Sequence, residues 1–115
     1  MSPGGDVRRD HRHALLELEV LLQHIENRAA AGDRARYDAD DDYRWVLHRL
    51  WIAVGNEAAA YAGEDKNRVQ PWAALYQLRN RLAHDRLPDI DEDLVWRMTR
   101  LRPSQLRQRV RELLQ

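Results

Sequence analysis

The chain has 115 residues, 43% hydrophobic and 33% charged, and its 19 basic and 19 acidic side chains leave no net charge. A chain of that size folds as one domain burying about two-thirds of its unfolded surface, and the composition is that of a packed rather than a disordered chain. With no cysteine, disulfides and zinc–thiolate sites are excluded, and the neutral balance argues against a general nucleic-acid coat protein. The first residues, MSPGGDVRRDHRH, hold no apolar run of signal-peptide length. No segment approaches the ~20 apolar residues that span a bilayer, so the expected setting is the cytoplasm, away from membranes. Charge is nonetheless uneven. YDADDDY (37–43) is acidic, whereas Arg97, Arg100, Arg102, Arg107, Arg109 and Arg111 crowd the last quarter, a distribution that can hold a phosphate backbone locally.

Apolar residues recur at helical spacing nearly everywhere and no strand-like alternation persists. Residues 1–6 are expected to be disordered, with a first helix over about 7–30. Its stripe is Leu15, Leu18, Leu22 and Ile25, and Gly32 sits where a helix would stop. The polar stretch 33–40 reads as a loop, from which Asp40 or Asp41 caps a second helix over 41–62. Leu47, Leu50, Trp51, Val54, Ala58 and Tyr61 form one apolar sector of that helix, and Gly63 ends it. Trp45, Ile52 and Ala59 form a second stripe, so this helix must meet two neighbours, in the bundle or across a dimer interface. A third helix opens at Pro71, packs through Trp72, Leu75, Leu78 and Leu82, and cannot continue past Pro88. Asp89 or Asp91 caps a fourth over about 92–101, packed through Leu94, Val95, Met98 and Leu101. Pro103 starts a short fifth with Leu106, Val110 and Leu113 inward. The expectation is one all-α domain over 1–115, a four- to five-helix up-and-down bundle.

Arg79, Asn80 and His84 lie close together just where the third helix should end. Arginine is a planar, permanently charged fork that grips phosphate oxygens, and histidine exchanges a proton near neutral pH. Together they suffice to cut RNA without a metal: the imidazole takes the proton of a 2′-hydroxyl while the guanidinium stabilises charge growing on phosphorus. Five residues along a continuous helix is a rotation of about 140°. The two side chains are therefore expected to converge only if the helix unwinds near His84 or if a second subunit contributes.

The run LRNRLAHDRLPDIDEDLVWRMT (78–99) resembles the signature region of the HepT-like branch of the HEPN superfamily. Its hallmark is an arginine, a polar residue, and a histidine after four to six intervening positions; Arg79, Asn80 and His84 match with four between. DIDEDLVWRM and RPSQLRQRVRELL follow in the family's order, and VGNEAA (54–59) is similar to its Ile-Gly-Glu-Ala element, with Asn56 a departure. The resemblance spans most of the chain from residue 7 onward. It implies a HEPN-like homodimer with the two motifs facing one cleft, acting without metal or organic cofactor as an endoribonuclease toxin beside a minimal nucleotidyltransferase antitoxin. In that reading Arg79 holds the scissile phosphate, His84 is general base or acid, and Asn80 orients one or the other. Arg81 and Arg86 are candidate RNA contacts. The family motif often continues His-x-Tyr, the tyrosine being the residue the partner modifies with AMP; here that position is Arg86. The competing class is a non-catalytic helical interaction module that pairs with a nucleotidyltransferase.

Other features carry plainer expectations. His11 and His13, two apart on a helix, point in different directions and make a poor metal pair, and with His24 and His48 they are expected at the surface or its boundary. The aspartates at 38–42 and the acidic run 89–93 are expected to be solvated and to favour the helix N-termini they precede. Trp45 and Trp96, with Ile52, fall off the main stripes and are the expected dimer interface.

Overall fold

A computed structural model describes residues 3–115, so that Met1 and Ser2, part of the segment expected to be disordered, lie outside the described residues. The described residues form six α-helices and no strand: α1 (Pro3–Ala30), α2 (Arg34–Ala39), α3 (Asp41–Ala62), α4 (Trp72–His84), α5 (Glu92–Leu101) and α6 (Pro103–Leu114). Boundaries fall where the local chemistry dictates. The Asp40 carboxylate accepts from the Tyr43 N–H at 3.1 Å and starts α3; Gly63, at φ +59°, ends it in a conformation other residues rarely adopt. Asp91 accepts from the Leu94 N–H at 3.1 Å and starts α5, and Pro103 opens α6. Pro71 stands one residue before α4 rather than within it.

The stretch 33–40 is not a loop. Asp33 accepts from the Arg36 N–H at 2.8 Å and caps the six-residue α2, whose single inward side chain, Tyr37, is completely buried. One tyrosine in RARYDA is too little apolar pattern to announce a helix; tertiary burial holds it there.

Helices α1 and α3, α1 and α6, and α3 and α4 run antiparallel. The α1–α3 pair is closed at one end by the Tyr43 hydroxyl donating to the Arg28 carbonyl (2.6 Å) and at the other by His11 against Tyr61, ring centroids 5.3 Å apart. Arg111–Glu19 (2.7 Å) and Arg107–Glu26 set α6 against α1. Helix α3 packs most extensively on α4, where the Tyr61 and Trp72 rings meet edge-on at 4.8 Å. The expected stripes Leu15, Leu18, Leu22 and Ile25, then Leu47, Trp51, Val54 and Ala58, then Trp72, Leu75, Leu78 and Leu82, make one continuous core. No helix among the described residues is long and apolar enough to cross a membrane.

Helix α5 sits differently from its expected orientation. Val95 and Thr99 are its buried residues, whereas Leu101 is 62% exposed and Leu94 and Met98 only half-buried. The helix is turned by roughly a third of a turn from the orientation its leucines suggest. Polar partners in the interior account for this: the Trp51 indole N–H donates to the Thr99 hydroxyl (3.0 Å), which donates to the Val95 carbonyl (2.8 Å). On the same face Glu92 Oε1 accepts from the Tyr37 hydroxyl at 2.8 Å and lies 2.8 Å from His48 Nε2, while Arg44 Nε stands 3.4 Å from Glu92 Oε2. A buried imidazole or indole N–H without a partner costs more than a leucine left half in water.

Candidate functional site

The stripe Trp72, Leu75, Leu78 and Leu82 fastens one side of α4 to the core; Arg79 lies at the edge of that side against α3, and Asn80 and His84 lie on the outer side toward the helix's C-terminal end. Helix α3 crosses α4 at Gly55. A methyl group there would overlap the Arg79 Cβ and come within 2.7 Å of the Leu75 carbonyl oxygen, so the glycine is what lets the two backbones approach. The stem of Arg79 therefore lies directly on α3.

From that seat the guanidinium meets three side chains. Nε donates to Asn56 Oδ1 at 2.8 Å, NH1 donates to Asn80 Oδ1 at 2.9 Å, and NH1 stands 3.4 Å from His84 Nε2. Two of the three partners are neutral amides, and among the described residues no carboxylate pairs with Arg79. Arginine only donates, so both amides must turn their oxygens toward it, which frees their NH2 groups together with the outer nitrogen of the guanidinium. Asn56 and His84 are exposed, Arg79 and Asn80 half-buried. The result is an open patch of hydrogen-bond donors around one fixed positive charge, suited to an anion with several oxygens.

The sequence motif is thus brought together, but not in either way expected. Helix α4 is unbroken through His84, with Asp85 beyond it in an extended conformation, and both side chains belong to one chain. Helical rotation places the small Ala83 between Arg79 and His84, and the long arginine stem spans the remaining angle. Of the VGNEAA element, Asn56 is the residue that reaches Arg79. Glu57 turns toward α1, where burial and then the Glu17 carboxylate push its pKa up.

Arg81 and Arg86 are both exposed. Arg81 lines a shallow groove of about 250 Å³ with Leu78, Leu94 and Met98, and Arg86 follows the end of α4. Trp45 is 44% exposed and Ile52 half-buried on α3. Trp96, expected at a dimer interface, packs within the chain: turned inward with α5, its ring lies 5.2 Å from that of Tyr37 and 6.4 Å from that of Tyr43. His48, expected near the surface, is 6% exposed. Glu92, expected to be solvated, is its partner. Burial and then the hydrogen bond to the Glu92 carboxylate raise the pKa of Tyr37 far above the ordinary phenol range, so its hydroxyl stays a donor. A concavity of about 510 Å³ between the end of α1 and α3 is lined by His24, Arg28, Arg36 and Tyr43 and does not include the motif. Among the described residues no group of three or more His, Asp or Glu side chains is arranged to hold a metal.

Compared with known proteins, the chain matches no family model, no curated protein and no solved structure.

Proposed function

We propose that the protein is an endoribonuclease that cleaves RNA without a metal through Arg79 and His84, in the manner of the HepT-like HEPN toxins its motif resembles. The observation that carries this reading is the 3.4 Å approach of the Arg79 guanidinium to the His84 imidazole, with Arg79 held only by neutral amides. An arginine fixed for cohesion can have a carboxylate at hand, as Arg34, Arg44 and Arg111 do, or only neutral acceptors, as Arg28 and Arg102 do. One that must receive a phosphate keeps its charge uncompensated.

In the reaction, His84 takes the proton of the 2′-hydroxyl as the 2′-oxygen attacks phosphorus. The bond to the 5′-oxygen breaks, that oxygen regains a proton, and a 2′,3′-cyclic phosphate and a 5′-hydroxyl result. Arg79 stabilises the charge that develops on the non-bridging oxygens, and the freed Asn80 amide N–H groups orient them. The exposed arginines Arg81 and Arg86 guide the strand. A homodimer joined across the α3 face of Trp45 and Ile52, and a minimal nucleotidyltransferase antitoxin as partner, complete the proposal.

The test compares RNA cleavage by the wild type, Arg79→Ala and His84→Ala, each with EDTA present and each checked for an unchanged melting temperature. Loss of about a hundredfold or more in both variants is expected, the usual scale for removing a positioned proton-transfer or charge-stabilising group. Equal cleavage by either variant overturns the assigned roles. A folded wild type that leaves RNA intact overturns the nuclease reading in favour of an interaction module.

A further inference from the structure

Most arginines of this chain that make defined side-chain contacts meet at least one carboxylate: Arg34 with Asp38 and Asp93, Arg36 with Asp40, Arg44 with Glu92, Arg111 with Glu19. Arg79 is held by two hydrogen bonds, both to amides. Its stem is seated on Gly55, its Nε bonded to Asn56 Oδ1 at 2.8 Å, and its NH1 to Asn80 Oδ1 at 2.9 Å. Asn56 is exposed on α3, where a carboxylate would fit as well sterically and would bind a guanidinium more strongly. An amide there gives up attraction and leaves the cation bare.

We propose that Asn56 is a positioning residue: a neutral acceptor on α3 that fixes the direction of Arg79 without cancelling its charge, so that the site takes a phosphate-type anion. This rests on Arg79 being the group that holds the anion, but not on RNA being cleaved there. Asn56 orients the guanidinium through Nε, with NH1 turned toward Asn80 and His84. Aspartate at the same place makes a charged pair of nearly the same shape. The arginine stays where it is, and its field is extinguished.

This produces an order of effects opposite to that of a structural contact. The experiment titrates inorganic phosphate into the nitrogen-15-labelled wild type, Asn56→Asp and Asn56→Ala, follows the Arg79 Nε–H resonance, and records a melting curve for each. Expected is that Asn56→Asp melts at or above the wild-type temperature while its phosphate affinity falls tenfold or more. Asn56→Ala, which keeps the charge but loses the guide, falls by a smaller factor. RNA cleavage, measured beside it, follows the same order. A purely structural Asn56 gives the reverse, with Asn56→Asp like the wild type and Asn56→Ala the worse, and that result overturns the proposal. So does a wild-type Arg79 resonance that does not respond to phosphate. If phosphate affinity follows the expected order but the wild type cuts no RNA, the nuclease reading fails and the role of Asn56 stands.

Discussion

Two places in this molecule bring an arginine and a histidine together, and they treat them in opposite ways. Between α2, α3 and α5, His48 is buried and bonded to Glu92, which also takes the Tyr37 hydroxyl and faces Arg44, itself donating to the Tyr37 carbonyl at 2.8 Å and paired with Asp41. Every polar group there has found its complement inside the fold, as burial demands. At the end of α4, Arg79 and His84 stand at the surface with amides for company and donors left over. Identical residue types thus serve cohesion where carboxylates saturate them and, in the function proposed, ligand capture where the protein withholds the carboxylate. What separates structure from chemistry here is the identity of the partner, more than that of the arginine or the histidine.

The change with the largest expected effect strikes the seat on which the second place depends. Gly55→Ala puts a methyl group against the Arg79 Cβ and the Leu75 carbonyl, neither of which is the free end of a flexible chain. Forcing α3 and α4 apart is expected to cost about 1–3 kcal/mol, seen in denaturant melts, and to abolish the phosphate response because Arg79 moves with α4. A variant as stable as the wild type with its phosphate response intact would show that the close approach is not needed. Glu92→Ala acts on the first place alone. It leaves His48 and the Tyr37 hydroxyl buried without their acceptor, a loss of about 1–3 kcal/mol by the same melts, while the phosphate response of the folded fraction is unchanged. Should the anion response vanish with Glu92, the two places are coupled and the contrast between them is wrong.

The smallest effect is at the Asp40 cap. The Tyr43 N–H, and to a lesser degree Arg36, hold the Asp40 carboxyl below its ordinary value of 3.8, so folding favours the ionised form. Its contribution is complete above that ordinary value and disappears as the pH falls through the lowered one. Asp40→Ala is therefore expected to lower the melting temperature at neutral pH, with the gap to the wild type closing as the pH drops below about 3.8. A gap that persists unchanged in acid would mean that the cap acts through shape rather than charge.

The helices α3 and α5 end where the sequence alone placed them, because Asp40, Gly63 and Asp91 act on backbone groups within a few residues. The core stripes of α1, α3 and α4 were legible for a similar reason: a 3.6-residue period is a local property. Helix α2 escaped notice because a six-residue helix with one inward side chain has no period to detect. The face of α5 was misjudged because Thr99 and Glu92 look like solvent residues until Trp51 and His48 are seen opposite them. In the candidate site, Arg79, Asn80 and His84 stood out as neighbours in sequence. Asn56 did not, since it lies 23 positions from Arg79 and nothing in an isolated amide marks it as an arginine's partner.

The order of residues by itself determined that the chain is helical, where most helices stop, which face of α1, α3 and α4 fills the core, and that an arginine, an amide and an imidazole fall together near a helix end. Only the tertiary structure decided that these side chains meet within one subunit and that Gly55 and Asn56 hold the arginine. It alone showed that His48 is an interior residue bound to Glu92. The physical reason is range. Caps and periodicity act over one or two turns, whereas the partner of a charge is chosen by whichever helix packs beside it, often dozens of residues away.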